Sequence, residues 1–513
     1  MDTNVGHILE TLASSQPLAP AMHVPGRPTL TFADVGEQIR YVRERLRGWG
    51  IGPGDVIAGV IPTRPEMAVA CAVVPASATF APLSQALSVE AYSELLVRLR
   101  PKAAIVPTDA RHPLRVAARL CGVAEVVTAL DPSSPAGRFT LDVTRDDESL
   151  RLPATVGTDI AYVICTSGTT GRAKLVPIAH RRSVAFSNAF GDWSQMTADD
   201  VGCHLVPLHH GHGLNSALMV PLLRGSSIVC LPESDIEAFY RALDAYRPTW
   251  LTAVFTIHKE ILRRAADYRD VVARSRFRFF KVGSGALDSS EIDQLERLFR
   301  TPVLSALIAQ EVFLVTHDPL PPRVRKHGSV GLPVCNDVAI LGDAGASCRP
   351  GDIGEIVVRG AMVFDGYLDD PEATAAAFVD GWCRTGDLGH FDDDGHLFLA
   401  GRVTDLIHRG GEKFAPVRID RTIEALPEVH AAAAFGVPHP TLGEEVAAAV
   451  VKDVDAAIDE AQIIEHVRQC LGSKGVPRAV YFVDDLPRTD SGKIRRSELP
   501  RLLGLDRPVP SPP

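Results

Sequence analysis

Short apolar, β-rich runs alternate with longer helical patterns up to about residue 400: "VIAGVI" then "EMAVACAVV", "AAIVP" then "LRVAARL", "SSIVCL" then "IEAFYRALDAY". Each short run is strand-sized and is followed by apolar residues at helical spacing. The alternation predicts βαβ units, hence mostly parallel sheets layered with helices, an α/β class. At 513 residues the chain exceeds what one hydrophobic core organises, so at least two domains are expected.

Two later stretches, "GEIVVRG" and "GHLFLAGR", read as strands between Gly and Asp turns and predict an antiparallel, β-barrel-like portion. Beyond Arg402 the chain resumes with a helix-like "RIDRTIEAL", strands "AAAAFGV" and "EVAAAVVK", a helix "AQIIEHVRQCL" and a strand "RAVYFVD". These make a small α+β domain, with the boundary placed so that residues 1–401 and 402–513 separate and "RPVPSPP" is a tail.

A formal net charge of −10 lacks the basic footprint that nucleic acid or an anionic membrane surface requires. Nine cysteines, among them Cys71, Cys165, Cys203, Cys335 and Cys470, show neither CxxC nor Cys/His metal spacing, the pattern of a reduced compartment. The opening "MDTNVGHILETLA" has acids where a signal peptide has bases. The most apolar stretch, residues 67–83, is interrupted by Pro75 and Pro82 and is short for a bilayer. A cytoplasmic protein without stable membrane insertion is expected, and a homodimer stays open.

The segment "TSGTTGRAKLV" (residues 166–176) follows a predicted buried strand, "IAYVIC", and precedes a region able to become helical. There, backbone N–H groups and the side chains of Thr166, Ser167, Thr169 and Thr170, with Gly168 and Gly171 between them, could surround phosphate oxygens, with Lys174 adding a cation. The lysine does not follow the last glycine directly, so this is not a Walker A loop, and taken alone the segment is more often a polar turn.

Its company decides the reading. "CRTGDLGHFDDDGHLFLAGR", "RGGEKFAP" and "LPRTDSGKIRRSEL" follow in order, and with them the chain resembles the adenylate-forming superfamily of acyl-CoA synthetases, amino-acid adenylation domains and luciferases over almost its whole length. The resemblance implies a large N-terminal and a small mobile C-terminal domain. It also implies a two-step reaction: a carboxylic acid attacks the α-phosphate of ATP, with Mg2+, and the acyl-adenylate (acyl-AMP) then passes its acyl group to coenzyme A. By the same resemblance, Asp387 holds the ribose hydroxyls with help from Arg402, and Lys493 bridges carboxylate and α-phosphate. Glu311 positions magnesium. His210, in "PLHHGHGL", lies at the acyl pocket; the plain alternative is a packed loop histidine. His209, His210 and His212 lack a fourth ligand for a metal. Gly283, Ser284, Gly285 and Ala286 floor the acyl and adenine pockets, and Gly410, Gly411 and Lys413 belong to the loop lining the pantetheine tunnel.

Three departures from the family pattern stand out. Pro-Lys-Gly is replaced by Ala173, Lys174 and Leu175; Tyr-Gly-x-Thr-Glu by "LIAQE", placing Leu307, Ile308 and Gln310 beside the nucleotide; and the hinge Asp or Lys by Thr404. Loss of the adenine-stacking ring costs on the order of 1 kcal/mol. Three readings follow: a full synthetase, a member that mainly performs the thioester step on a preformed acyl-AMP, or a catalytically silent ligand-binding member.

Overall fold

The computed structural model describes residues 4–130, 133–144, 156–166, 173–285, 287–342, 345–453, 456–472, 475–488 and 494–505. Two compact units are present: Met1–Asp337 with Val358–Cys383, and Val338–Val357 with Arg384–Pro513.

Two mostly parallel sheets form the first unit. The seven-stranded sheet runs in the order Phe139–Val143, Ala124–Leu130, Ala103–Val106, Val56–Gly59, Thr79–Pro82, Ile160–Thr166, Lys174–Ala179, with only its outermost pairs antiparallel. In the nine-stranded sheet, Val201–His204, Trp250–Val254, Phe279–Gly283 and Val303–Ala309 lie side by side and parallel. The expected βαβ alternation is thus present, because helices such as Val89–Leu99 and Ile236–Tyr246 cover strands buried on both faces. Both helices begin at a side-chain cap, Ser88 accepting from Ala91 N and Asp235 from Ala238 N.

One expectation differs. The segment after the glycine-rich loop is not helical at once: Lys174–Ala179 is a strand, antiparallel to Ile160–Thr166, and the helix His180–Trp193 starts only after it. "KLVPIA" carries Pro177, and Leu175, Val176 and Ile178 are buried, so this stretch gains more by completing the sheet edge than by coiling.

In the second unit, the Arg384–Phe391 part of the strand Trp382–Phe391 pairs antiparallel with Leu397–Arg402. The strands read from "GEIVVRG" and "GHLFLAGR" both exist, and Trp382–Phe391 stands beside each of them in the sheet. A second sheet orders Glu412–Phe414, Ile407–Arg409, Gly443–Lys452 and Val429–His439, with Ala479–Phe482 parallel to Gly443–Lys452. Along "AAAAF", Ala432 and Ala434 join one core while Ala431, Ala433 and Phe435 join another, the period-two signature of a strand buried on both faces. Among the described residues no helix is long and apolar enough to cross a membrane.

Candidate active site

The hairpin of the seven-stranded sheet brings Thr166 opposite Lys174, where the Thr166 hydroxyl donates to the Lys174 carbonyl (3.4 Å). Ser167, Gly168, Thr169, Thr170 and Gly171 lie outside the described residues, as do Ala286 and Lys493. Arg98 donates to the Ala173 carbonyl (2.6 Å), and the Leu368 N–H to the Leu175 carbonyl (2.9 Å), so the hairpin is held from both sides. Leu175 packs into the hydrophobic core of this sheet.

Tyr367 follows from that tether. The Lys174 ammonium sits 4.5 Å above its ring centroid, a cation–π contact, and its hydroxyl donates to Glu311 Oε1 at 2.8 Å. Burial, and then the Glu311 carboxylate beside it, hold the phenol far above its ordinary range. Lys174 and Glu311, 137 positions apart in the chain (311 − 174), are therefore brought together with one aromatic ring between them.

Glu311 is placed by a buried cation. Arg182, 1% exposed, donates from Nη2 to the carbonyls of Gln310 (2.7 Å) and Glu311 (3.1 Å), from Nε to Met362 (2.9 Å) and from Nη1 to Pro177 (3.2 Å). Its guanidinium lies 4.5 Å from the Phe313 ring centroid. Desolvation pulls its pKa down to about 10, still cationic at neutral pH. Neither Tyr367 nor Arg182 is evident from the motifs alone.

In the histidine segment, the His209 and His210 rings are 4.2 Å apart, and His212 opens a π-helical stretch, His212–Met219, with its Nε2 hydrogen-bonded to Thr252 Oγ1 (2.7 Å). Burial lowers the pKa of His209 to about 3 and that of His212 well below its ordinary value, so both are neutral. Among the described residues no group of three His, Cys, Asp or Glu side chains could hold a metal ion. Gly283 ends its strand, and Ser284 adopts φ +62°, a left-handed conformation that side chains seldom take. A Cβ on Gly285 would meet Phe255 Cδ1 at 2.4 Å, and one on Gly211 would fall 1.7 Å from Gln310 Nε2. Gln310 therefore turns its amide onto the histidine segment. Leu307 is buried opposite Thr316.

In the second unit, Asp387 lies across from Arg402 in register, and Arg402 Nε donates to its Oδ1 at 2.8 Å. Gly410 (φ +59°) and Gly411 (φ +85°) make the tight turn into Glu412–Phe414, with Lys413 exposed opposite His408. Arg488 and Ile494, which flank residues 489–493, form an antiparallel bridge.

These groups suit the ligands the motifs imply. Glu311, whose Oε1 accepts from one phenol, is a hard carboxylate, the donor type that magnesium takes. The Asp387–Arg402 pair offers acceptor and donor atoms to a diol.

Comparison with known proteins gives the chain's family. The family described as AMP-binding enzyme matches residues 9–368, and AMP-binding enzyme C-terminal domain matches residues 418–493. The chain is 34% identical to the oxalate–CoA ligase of Arabidopsis thaliana, covering 95% of this chain and 96% of the relative. It is 36% identical to the sulfoacetate–CoA ligase of Cupriavidus necator, covering 76% of each. ATP-bound MatB from Rhodopseudomonas palustris superposes with a TM-score of 0.86 at 29% identity, covering 98% of this chain and 99% of that one.

Proposed function

The chain belongs to the AMP-binding enzyme family, and from that premise we propose that it is a cytoplasmic acid–thiol ligase that makes an acyl-CoA from a short carboxylic acid, MgATP and coenzyme A. In the first step a carboxylate oxygen attacks the α-phosphorus of ATP and pyrophosphate leaves. In the second the CoA thiol attacks the acyl carbon, the acyl–oxygen bond breaks, and AMP leaves with the thiol proton released to solvent.

The observation that carries this reading is the Lys174–Tyr367–Glu311 arrangement. Spaced by a ring, the Lys174 ammonium would face phosphate charge and the Glu311 carboxylate would hold magnesium, whose chemistry would be to offset charge on the pyrophosphate leaving group. This arrangement favours the full two-step enzyme over one restricted to preformed acyl-AMP, despite Ala173, Ile308 and Gln310. Asp387 and Arg402 are assigned to the ribose, and Lys493 to the bridge between carboxylate and α-phosphate. Gly410, Gly411 and Lys413 are assigned to CoA, and His210 with Gly283, Ser284 and Gly285 to the acyl group. Residues 402–513 are assigned as the domain that moves for the thioester step, pivoting after Gly401 with Thr404 in the short turn Val403–Asp405.

The test is Lys493→Ala, assayed in each half-reaction. Pyrophosphate release from ATP and acid should fall at least ~100-fold, while thioester formation from synthetic acyl-AMP and CoA persists. Equal loss in both halves sinks the assignment of Lys493, and absence of thioester in the parent enzyme sinks the ligase reading.

A further inference from the structure

Lys281 lies in the middle of the strand Phe279–Gly283, flanked on both sides by parallel strands, and is 2% exposed. Its amine makes no hydrogen bond or ion pair with any described residue. An ammonium in such a place is costly without a counter-charge, and burial draws its pKa down to about 7.

The amine is aimed at a defined point. Gly283, two residues on and on the same face, lacks a side chain; a methyl carbon there would lie 2.7 Å from His212 Cε1, 3.0 Å from His212 Nδ1 and 3.1 Å from Lys281 Nζ. Thr252, the register partner of Lys281, holds His212 Nε2 at 2.7 Å, and the Nδ1 is buried without a partner. In the tautomer where Thr252 donates to Nε2, the ring proton is on Nδ1, on the same side as the amine. The other titratable groups that act electrostatically with Lys281 are His258 and His317, each with a buried, partnerless Nε2; no carboxylate is among them. A lysine and imidazoles converge on the floor of the acyl pocket without an anion of the chain's own.

We propose that Lys281, with His212, binds a second anionic group on the acid substrate, so that the enzyme selects short acids bearing two negative groups over monocarboxylates of the same length. This deepens, and rests on, the ligase reading above. Phe255 against Gly285 and the Gln310 amide on Gly211 narrow the pocket and favour a chain of few carbons. The second group is a carboxylate or a sulfonate; both are anions that accept several hydrogen bonds.

The experiment compares wild type with Lys281→Met, and with Lys281→Gln as a second variant in case the first fails to fold. The acids are malonate, succinate and sulfoacetate, against propionate and butyrate, with acyl-CoA measured by mass. Wild type should favour the dianions in kcat/KM, and both variants should lose them by about 100-fold or more while retaining or gaining propionate. Preference for malonate or for sulfoacetate identifies the second anion. Wild type that prefers propionate, or variants that lose all acids equally, overturns the proposal and leaves the ligase reading standing. Should no acid yield thioester, that reading has failed. Calorimetric binding of malonate and sulfoacetate then decides on the subsite alone: loss in the variants supports it, and equal or absent binding overturns it.

Discussion

Replacing Lys281 by methionine should make the protein more stable. The amine's pKa falls from 10.5 to about 7 through burial alone. At about 1.4 kcal/mol per unit, keeping it charged in the folded state costs about 5 kcal/mol, and releasing its proton at a pH of about 7.5 costs about 4. Local relaxation cuts such figures two- to threefold, leaving roughly 1–2 kcal/mol that methionine, with similar length and no charge, would avoid. The sign follows from proton uptake. Between pH 7 and 10.5 the unfolded chain holds a proton on this amine that the folded chain does not, so wild-type stability gains from Lys281 with rising pH, and the penalty is largest below about pH 7. Its neighbours His258 and His317 have pKa values lowered to about 4, and that of His212 is lower still than usual, so none of them titrates in this window. In calorimetric scans at one fixed rate, Lys281→Met should melt higher by at least about 2 °C near pH 6.5, with the gain shrinking toward pH 9. Malonate should raise the wild-type Tm and leave the variant unmoved. A variant that melts lower, or a gain independent of pH, refutes the reasoning.

Tyr367→Phe keeps the ring under Lys174 and deletes the hydroxyl held 2.8 Å from Glu311; kcat/KM for MgATP should fall by roughly 10- to 100-fold in a pyrophosphate-release assay at unchanged Tm. Arg182→Met removes a buried guanidinium and strips its donors from four carbonyls, and should destabilise by about 3 kcal/mol or more, seen as a lowered Tm and reduced soluble yield. Gly211→Ala puts a Cβ 1.7 Å from Gln310 Nε2 and should raise KM for the acid, with Gln310→Ala in the same chain restoring it.

The layered α/β architecture was legible because strands buried on both faces leave continuous apolar runs, as in "VIAGVI" and "SSIVCL". The hairpin after the glycine-rich loop was not, since "KLVPIA" has neither a clear period of two nor one of 3.6. Trp382–Phe391 hid as a strand because "RTGDLG" has the composition of a turn, and Gly386 does take φ +72° within it. Motif order identified the candidate residues Asp387, Arg402, Lys174 and Glu311. Tyr367 and Arg182 escaped because their partners lie far away in sequence: Arg182 reaches Gln310, Glu311 and Met362. Lys281 left a readable trace, a single cation interrupting the apolar "FFKVG" of residues 279–283. A charge within a core strand marks a group kept for a purpose other than packing.

The most direct measurement follows the acid's own oxygen. The short acid turned over fastest is labelled with heavy oxygen in the reacting carboxylate and incubated with the enzyme, MgATP and coenzyme A, and the products are weighed by mass spectrometry. An acyl-adenylate transfers one carboxylate oxygen to the phosphate of AMP, so AMP should carry one heavy atom per thioester formed and pyrophosphate none. Label in inorganic phosphate alongside ADP would mean an acyl-phosphate route, and unlabelled AMP would mean that the carboxylate never attacks the α-phosphorus; either result contradicts the account.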